Sequence, residues 1–240
     1  MNYALIFAGG VGRRMNTKEK PKQFLEIHGK PIIVHTIECF QENPMIDSIC
    51  AVIVDEWVDF MRDLAERYRL TKVKRIIPGG ATAFDSQYRG LVEISKMAAP
   101  DDVVLIHDGV RPLISSKLIS DCIAHVRQFG SAVIVAPAIE TIVQVDNTGM
   151  IRSTVERSEC FLARAPQCFY LRDILSAHEN ARAEGRTFID STSLMLHYGN
   201  SVHTVQGPAE NIKVTNPADF YICRALLDAR ENEQMNGINV

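Results

Sequence analysis

The stretch MNYALIFAGGVGRRMNTKEKPKQF sets glycines and bare cations directly after an apolar run, Ala4–Ala8. Gly9, Gly10 and Gly12 let a backbone bend sharply and approach a ligand closely, so that successive N–H groups can cradle a phosphate. Arg14 offers a rigid guanidinium fork and Lys22 a compact point charge for phosphate oxygens. The same residues would also make a tight turn with solvated cations. The spacing is neither that of the usual ATPase phosphate loop nor that of the dinucleotide fingerprint, whose third glycine position is Met15 here.

Three further stretches carry chemistry. In VVLIHDGVRP a buried-strand pattern runs into His107, Asp108 and Arg111. One carboxylate at the end of a strand suits Mg2+, which takes one or two carboxylates together with substrate phosphates. His107 reads as a hydrogen-bonding structural residue rather than a general base, and no zinc-type cluster is visible. In GPAENIKVTNP, Lys213 stands between apolar neighbours, where a lysine either snorkels outward or meets an anion. TVERSECFLARAPQCF contributes Glu156, Arg157 and Arg164, which would equally form surface ion pairs.

Positioning these groups requires a sheet. Apolar runs at 3–7, 49–54, 73–77, 103–106 and 132–135 alternate with helical patterns at 31–40, 56–68, 85–97 and 117–129. In the last, Ile119, Cys122, Ile123 and Val126 share one face. This rhythm implies a mainly parallel sheet covered by helices on both faces, with ligands beyond the carboxyl ends of the strands. From Thr141 to Val155, alternating strand residues flank Asp146–Gly149, a turn-rich tetrad, and predict a β-hairpin arm at about 138–160. The arm is either an ordinary surface hairpin or a contact with a second subunit. Helices follow at 171–183 and 192–198, then a strand at 202–205, a strand over NIKVT, a last helix from Pro217 and a frayed polar tail.

Composition narrows the class. A chain of 240 residues, 46% hydrophobic, supports one sizeable core, and residues 1–240 are read as a single domain. A net charge of −3 argues against a nucleic-acid partner. Neither a membrane span nor a signal peptide is expected. The six cysteines are scattered without metal spacing and are read as free thiols of a cytoplasmic protein.

Taken in order, AGGVGRRM, PKQF, HDGVRP, APQCF and NIKVTNP resemble the cytidylyltransferases that act on 2-C-methyl-D-erythritol 4-phosphate or ribitol 5-phosphate, over nearly the whole chain. The resemblance implies a three-layer α/β/α Rossmann-like nucleotidyltransferase fold. It also implies a reaction in which the phosphate of a polyol phosphate attacks the α-phosphorus of CTP and pyrophosphate leaves. By the same resemblance Arg14, Lys22, Lys213 and Arg157 are catalytic, and Asp108 holds Mg2+. Ala8, Gly9, Gly10, Gly12, Gly79, Gly80, Ala81 and Ser86 bind the nucleotide. Arg111, Thr141, Arg157 and Asp190 serve the acceptor, together with Lys213. Arg157 acts across a homodimer formed through the arm. The chain departs from the family at Ala81 and Ala83, where a polar residue and an arginine are customary, and at Ala165, where a threonine is usual. FAGG, PIIVHTIECF, Trp57 and Val110 lean toward the ribitol-5-phosphate branch, whereas STVERS leans toward the methylerythritol branch. Rival readings are a sugar 1-phosphate nucleotidyltransferase, a non-catalytic nucleotide-binding protein and a dinucleotide oxidoreductase.

Overall fold

The computed structural model describes residues 1–9 and 20–236, with side chains up to residue 232. Gly10, Gly12 and Arg14 lie outside the described residues. The first strand, β1 (Asn2–Ala8), leads to a short hairpin of β2 (Glu26–Ile27) and β3 (Lys30–Pro31), then α1 (Ile32–Gln41). The chain continues as β4 (Ser48–Ile53), α2 (Val58–Arg67), β5 (Val73–Pro78), α3 (Ala83–Ser95), β6 (Val103–Asp108), α4 (Ser116–Phe129) and β7 (Ser131–Pro137). After an arm of β8 (Val143–Val145) and β9 (Ile151–Thr154) come β10 (Phe161–Tyr170), α5 (Leu171–Ala183), α6 (Ser191–His197), β11 (Thr204–Gln206) and α7 (Pro217–Asn236).

The main sheet has the order β11-β7-β10-β6-β1-β4-β5. β1 pairs in parallel with β4 and β6, β4 with β5, and β11 with β7, while β10 runs antiparallel between β6 and β7. Alternation along each strand builds the two faces. Ala4, Ile6, Val103 and Leu105 point to the face covered by α1, α2 and α4. Tyr3, Leu5, Val104 and Ile106 point to the face covered by α3, α5 and α6. This is a three-layer α/β/α arrangement. A third apolar cluster joins Ile27, Ile32, Val110, Leu113, Val214 and Cys223, which docks α7 beside the end of β6. No helix among the described residues is long and apolar enough to cross a membrane.

Local signals account for the element ends. Ser115 caps α4 by accepting from Leu118 N–H, and Gly130 ends it in the left-handed region at φ 84°. The arm pairs antiparallel, and the Asp146 carboxylate holds its turn by accepting from Thr148 N–H and Met150 N–H.

Two expectations fail, and one strand is additional to them. Residues 211–215 form no strand: Val214 N–H to Val110 O is a single backbone bond, not a ladder. Apolar Ile212 and Val214 serve the third cluster instead of a ladder. The strand β10 was not foreseen: Pro166 interrupts its pattern, and the pairing with β7 shifts register between Arg164 and Gln167, where proline has no N–H to give. The polar tail does not fray at its start but continues α7 to Asn236, with His28 bridging Asp228 and Glu231 at 2.6 and 3.2 Å.

Among the buried histidines, His178 gives the fold a pH dependence that can be tested away from the sheet's front edge. His178 of α5 is fully buried, stacks on Phe84 of α3 at 4.5 Å, and neither ring nitrogen has a partner among the described residues. Burial, helped by the charge of Arg182, lowers its pKa to about 4. Between about pH 6.5 and pH 4 the unfolded chain therefore binds a proton that the folded chain refuses, so stability falls as pH falls. The expected loss at pH 5 relative to pH 7.5 is about 2 kcal/mol. Denaturant titration of His178→Leu at both pH values should show this part of the loss removed; an equal loss in variant and wild type would refute it.

Candidate active site

The front edge of the sheet is built around the end of β6. Asp108 closes that strand and is 7% exposed. The chain then turns back, so that Arg111 places Nε and Nη2 at 3.3 and 3.2 Å from Asp108 Oδ2. From the far end of the sequence, Lys213 brings Nζ to 2.5 Å from Asp108 Oδ1. Burial alone would push the Asp108 carboxyl up, but the charges of Lys213 and Arg111 outweigh it and hold the pKa below the usual carboxylate value. Asp108 is thus an anion between two cations. His107 points to the opposite face of the sheet, against Phe40, and its Nε2 lies 3.0 Å from Arg111 O. Complete burial lowers its pKa to about 4, so it is neutral at physiological pH. It serves as a structural hydrogen-bonding residue.

The segment carrying Lys213 is held from several sides. Val214 N–H donates to Val110 O at 2.9 Å. Asn211 O accepts from Arg111 Nη1 at 2.5 Å and from Arg164 Nη1 at 2.8 Å, while Asn211 Nδ2 donates to Ala165 O at 2.8 Å. Lys22 Nζ donates to Val214 O at 2.8 Å. Its neighbour Gln23 donates from Nε2 to Ala8 O at 2.8 Å. Phe24, stacked on Trp57 at 5.0 Å, anchors the turn that carries both. The PKQF motif therefore ties the end of β1 to the backbone beside Lys213.

The two glycine turns meet each other. A Cβ on Gly9 would sit 2.6 Å from Ser86 Oγ, and one on Gly79 would sit 2.9 Å from the same atom. Ser86 Oγ in turn accepts from Gly80 N–H at 3.1 Å and donates to Thr82 O at 2.9 Å. The serine hydroxyl thus holds the loop after β5, and Ala81 stands exposed at its tip. Ala83 leaves no cation at its own position, but Arg89 donates to Gly79 O at 2.9 Å, and Arg182 pairs with Asp85 at 2.9 Å.

A cleft of about 170 Å³ opens beside these groups, walled by Asp108, Arg111, Lys213, Arg164, Gln167 and Asp190. Asp190 caps α6, accepting from Ser193 N–H at 2.8 Å, and its other oxygen accepts from Gln167 Nε2 at 3.3 Å. Of the residues expected from sequence, Asp108, Arg111, Lys213 and Asp190 line this one cleft, and Lys22 touches the backbone next to Lys213. Thr141 and Arg157 are not brought there. Thr141 is exposed at the base of the arm, and Arg157 donates to Ile139 O at 3.2 Å. Gln167 and Asn211 went unassigned in sequence, although each sits inside a motif already singled out, APQCF and NIKVT.

Residues 3–229 match the family model described as 2-C-methyl-D-erythritol 4-phosphate cytidylyltransferase. The chain belongs to this family. With membership comes the activity class, CTP-dependent nucleotidyl transfer. Within the family, the chain is 53% identical over 239 residues to a ribitol-5-phosphate cytidylyltransferase of Streptococcus agalactiae serotype III, covering 99% of this chain and 100% of that one. It is 38% identical over 228 residues to a 2-C-methyl-D-erythritol 4-phosphate cytidylyltransferase of Clostridium acetobutylicum, covering 95% and 97%. The crystal structure of 4-diphosphocytidyl-2C-methyl-D-erythritol synthase from Anaerococcus prevotii superposes with a TM-score of 0.81 at 26% identity, over 95% of this chain and 96% of that chain. The cytidylyltransferase is thus closer in sequence to the ribitol-5-phosphate branch, as FAGG and PIIVHTIECF imply.

Proposed function

We propose that this cytidylyltransferase transfers the cytidylyl group of CTP to ribitol 5-phosphate, giving CDP-ribitol and pyrophosphate. The observation that carries the chemistry is the convergence of Asp108, Arg111 and Lys213 on one cleft. The higher identity to the ribitol-5-phosphate relative carries the choice of acceptor. The acceptor phosphate is already an anion, so no strong base is needed, in keeping with a neutral, buried His107. The barrier lies in aligning two anions in line and in stabilising the charge that develops on the α-phosphoryl group and the leaving pyrophosphate. In this reading Lys213, Lys22 and Arg14 answer that charge; Lys213 in the cleft wall and Lys22 on Val214 O support it.

Among the described residues no group of three or more His, Cys, Asp or Glu side chains gathers. The donor set fits a hard cation that shares one carboxylate with substrate phosphates, and Asp108 is the residue that would hold Mg2+. When bound, Mg2+ would neutralise phosphate charge and polarise the α-phosphoryl oxygen. Lys213, whose side chain is 41% exposed, is free to exchange the Asp108 carboxylate for a phosphate oxygen.

The reading takes residues 1–240 as one catalytic domain that dimerises through the arm. Apolar Ile139, Val145, Ile151 and Phe161 are more than half exposed there and suit burial against a second copy. Arg157 and Thr141, which do not line the cleft of their own chain, then serve the partner's cleft. Six unpaired cysteines accord with a reducing cytoplasm.

The test is incubation with CTP, Mg2+ and either ribitol 5-phosphate or 2-C-methyl-D-erythritol 4-phosphate, with product mass and pyrophosphate release as readouts. CDP-ribitol is the expected product. Formation of the methylerythritol product alone, or of neither, would overturn the proposal.

A further inference from the structure

We infer that Arg164 binds the phosphate of the acceptor, supplied by the same chain that supplies Asp108 and Lys213. The inference rests on the proposed transfer to a polyol phosphate and adds a residue to its site.

Arg164 lies on β10 just before the register shift, with its side chain in the wall of the cleft. Its Nη1 donates to Asn211 O, the carbonyl that Arg111 Nη1 also reaches. Two guanidinium groups thus crowd one neutral acceptor. The charge of Arg111 is answered by Asp108. Arg164 has no carboxylate within ion-pair distance among the described residues, and its buried Nε–H finds no acceptor. Burial and the neighbouring Arg111 both disfavour its charge, and the more distant carboxylate of Glu210 offsets them only in part.

An anchoring role does not account for this. The Asn211 segment is already held by Arg111, by the Asn211 side chain on Ala165 O and by Val214 N–H on Val110 O. The carbonyl has a lone pair for each donor, but the second donor sets one cation beside another, with repulsion that the anchoring does not require. A dianionic phosphate monoester in the cleft removes the conflict, because a guanidinium fork matches two of its oxygens. The position points to the acceptor rather than the nucleotide. Arg164 stands on β10 with Gln167 and shares the cleft wall with Asp190, whereas Gly9 at the end of β1 and the glycines after β5 lie on the other side of β6 in the sheet order. The carbonyl of Asn211 is then the resting partner of Arg164, exchanged for phosphate when the acceptor enters.

Steady-state kinetics of Arg164→Gln and Arg164→Lys, with CTP and ribitol 5-phosphate varied separately, test this. Loss of a charge-assisted hydrogen bond should raise the KM for ribitol 5-phosphate about 10- to 100-fold in Arg164→Gln, with the KM for CTP unmoved and the lysine variant intermediate. A purely structural arginine would raise both constants together or neither, and either result overturns the inference. A measurement on the wild type guards against a variant that folds poorly. The Arg164 Nε–H nuclear magnetic resonance should shift on adding ribitol 5-phosphate and stay in place with ribitol; no shift overturns the inference. Wild type that makes no CDP-ribitol would fail the functional proposal itself, whereas active wild type with an unmoved acceptor KM in Arg164→Gln fails this inference alone.

Discussion

Lys213→Ala should lower kcat by about 10²- to 10³-fold with little change in melting temperature. The ammonium group is the cation that meets both the Asp108 carboxylate and the cleft. It rests on Asp108, and on the proposed mechanism a phosphoryl oxygen competes for it in the transition state. Removing one preorganised donor of this kind costs about 3–4 kcal/mol of barrier. Folding should hardly notice. The side chain is 41% exposed, Asp108 keeps Arg111 as a partner, and the segment is fastened by Asn211 and Val214. Single-turnover rates beside a thermal melt decide the matter. Unchanged turnover, or a melting temperature that falls in step with activity, would show that Lys213 is only a surface ion-pair partner.

Asp108→Asn should affect both quantities. The substitution keeps the shape but strips the countercharge from Arg111, which is itself only 7% exposed. Breaking a buried pair by neutralising one member costs about 3 kcal/mol, because the remaining charge stays desolvated. For a chain of this size that corresponds to a fall in melting temperature of roughly 10 °C. Activity measured well below the melt should fall by at least 10³-fold, and the magnesium concentration giving half-maximal rate should rise. Adding Lys213→Ala to Asp108→Asn should then cost much less than Lys213→Ala alone, because the two residues act as one unit. Strict additivity of the two losses would separate them and refute a shared role.

The sequence made the parallel half of the fold legible wherever period and burial agree. Val103–Ile106 reads as a strand because every residue is buried between two helical layers, and α4 reads as a helix because Ile119, Cys122, Ile123 and Val126 all face the sheet. β10 hid because its first residues are exposed, its last ones buried, and a proline falls between them. NIKVT misled for the opposite reason: Ile212 and Val214 alternate like a strand, yet what they satisfy is a small apolar cluster under α7. In the site, Asp108 with Arg111 was readable from a three-residue spacing. The union of Lys213 with Asp108, and of Lys22 with Val214, was reachable only through motif resemblance, since folding alone joins such distant parts of the chain. Arg164 was visible as a charge near the arm, but nothing in its neighbours signals that it shares a carbonyl with Arg111.

The contact of Gly9, Gly79 and Ser86 has a bearing on what this edge can tolerate. There is no room for even a methyl group between them, so Gly9 at the end of β1 is packed directly on the loop that follows β5. On the proposed function, a nucleotide held at this edge would meet a gap already closed by packing, and a side chain added at Gly9 or Gly79 would push the end of β1 and the loop after β5 apart.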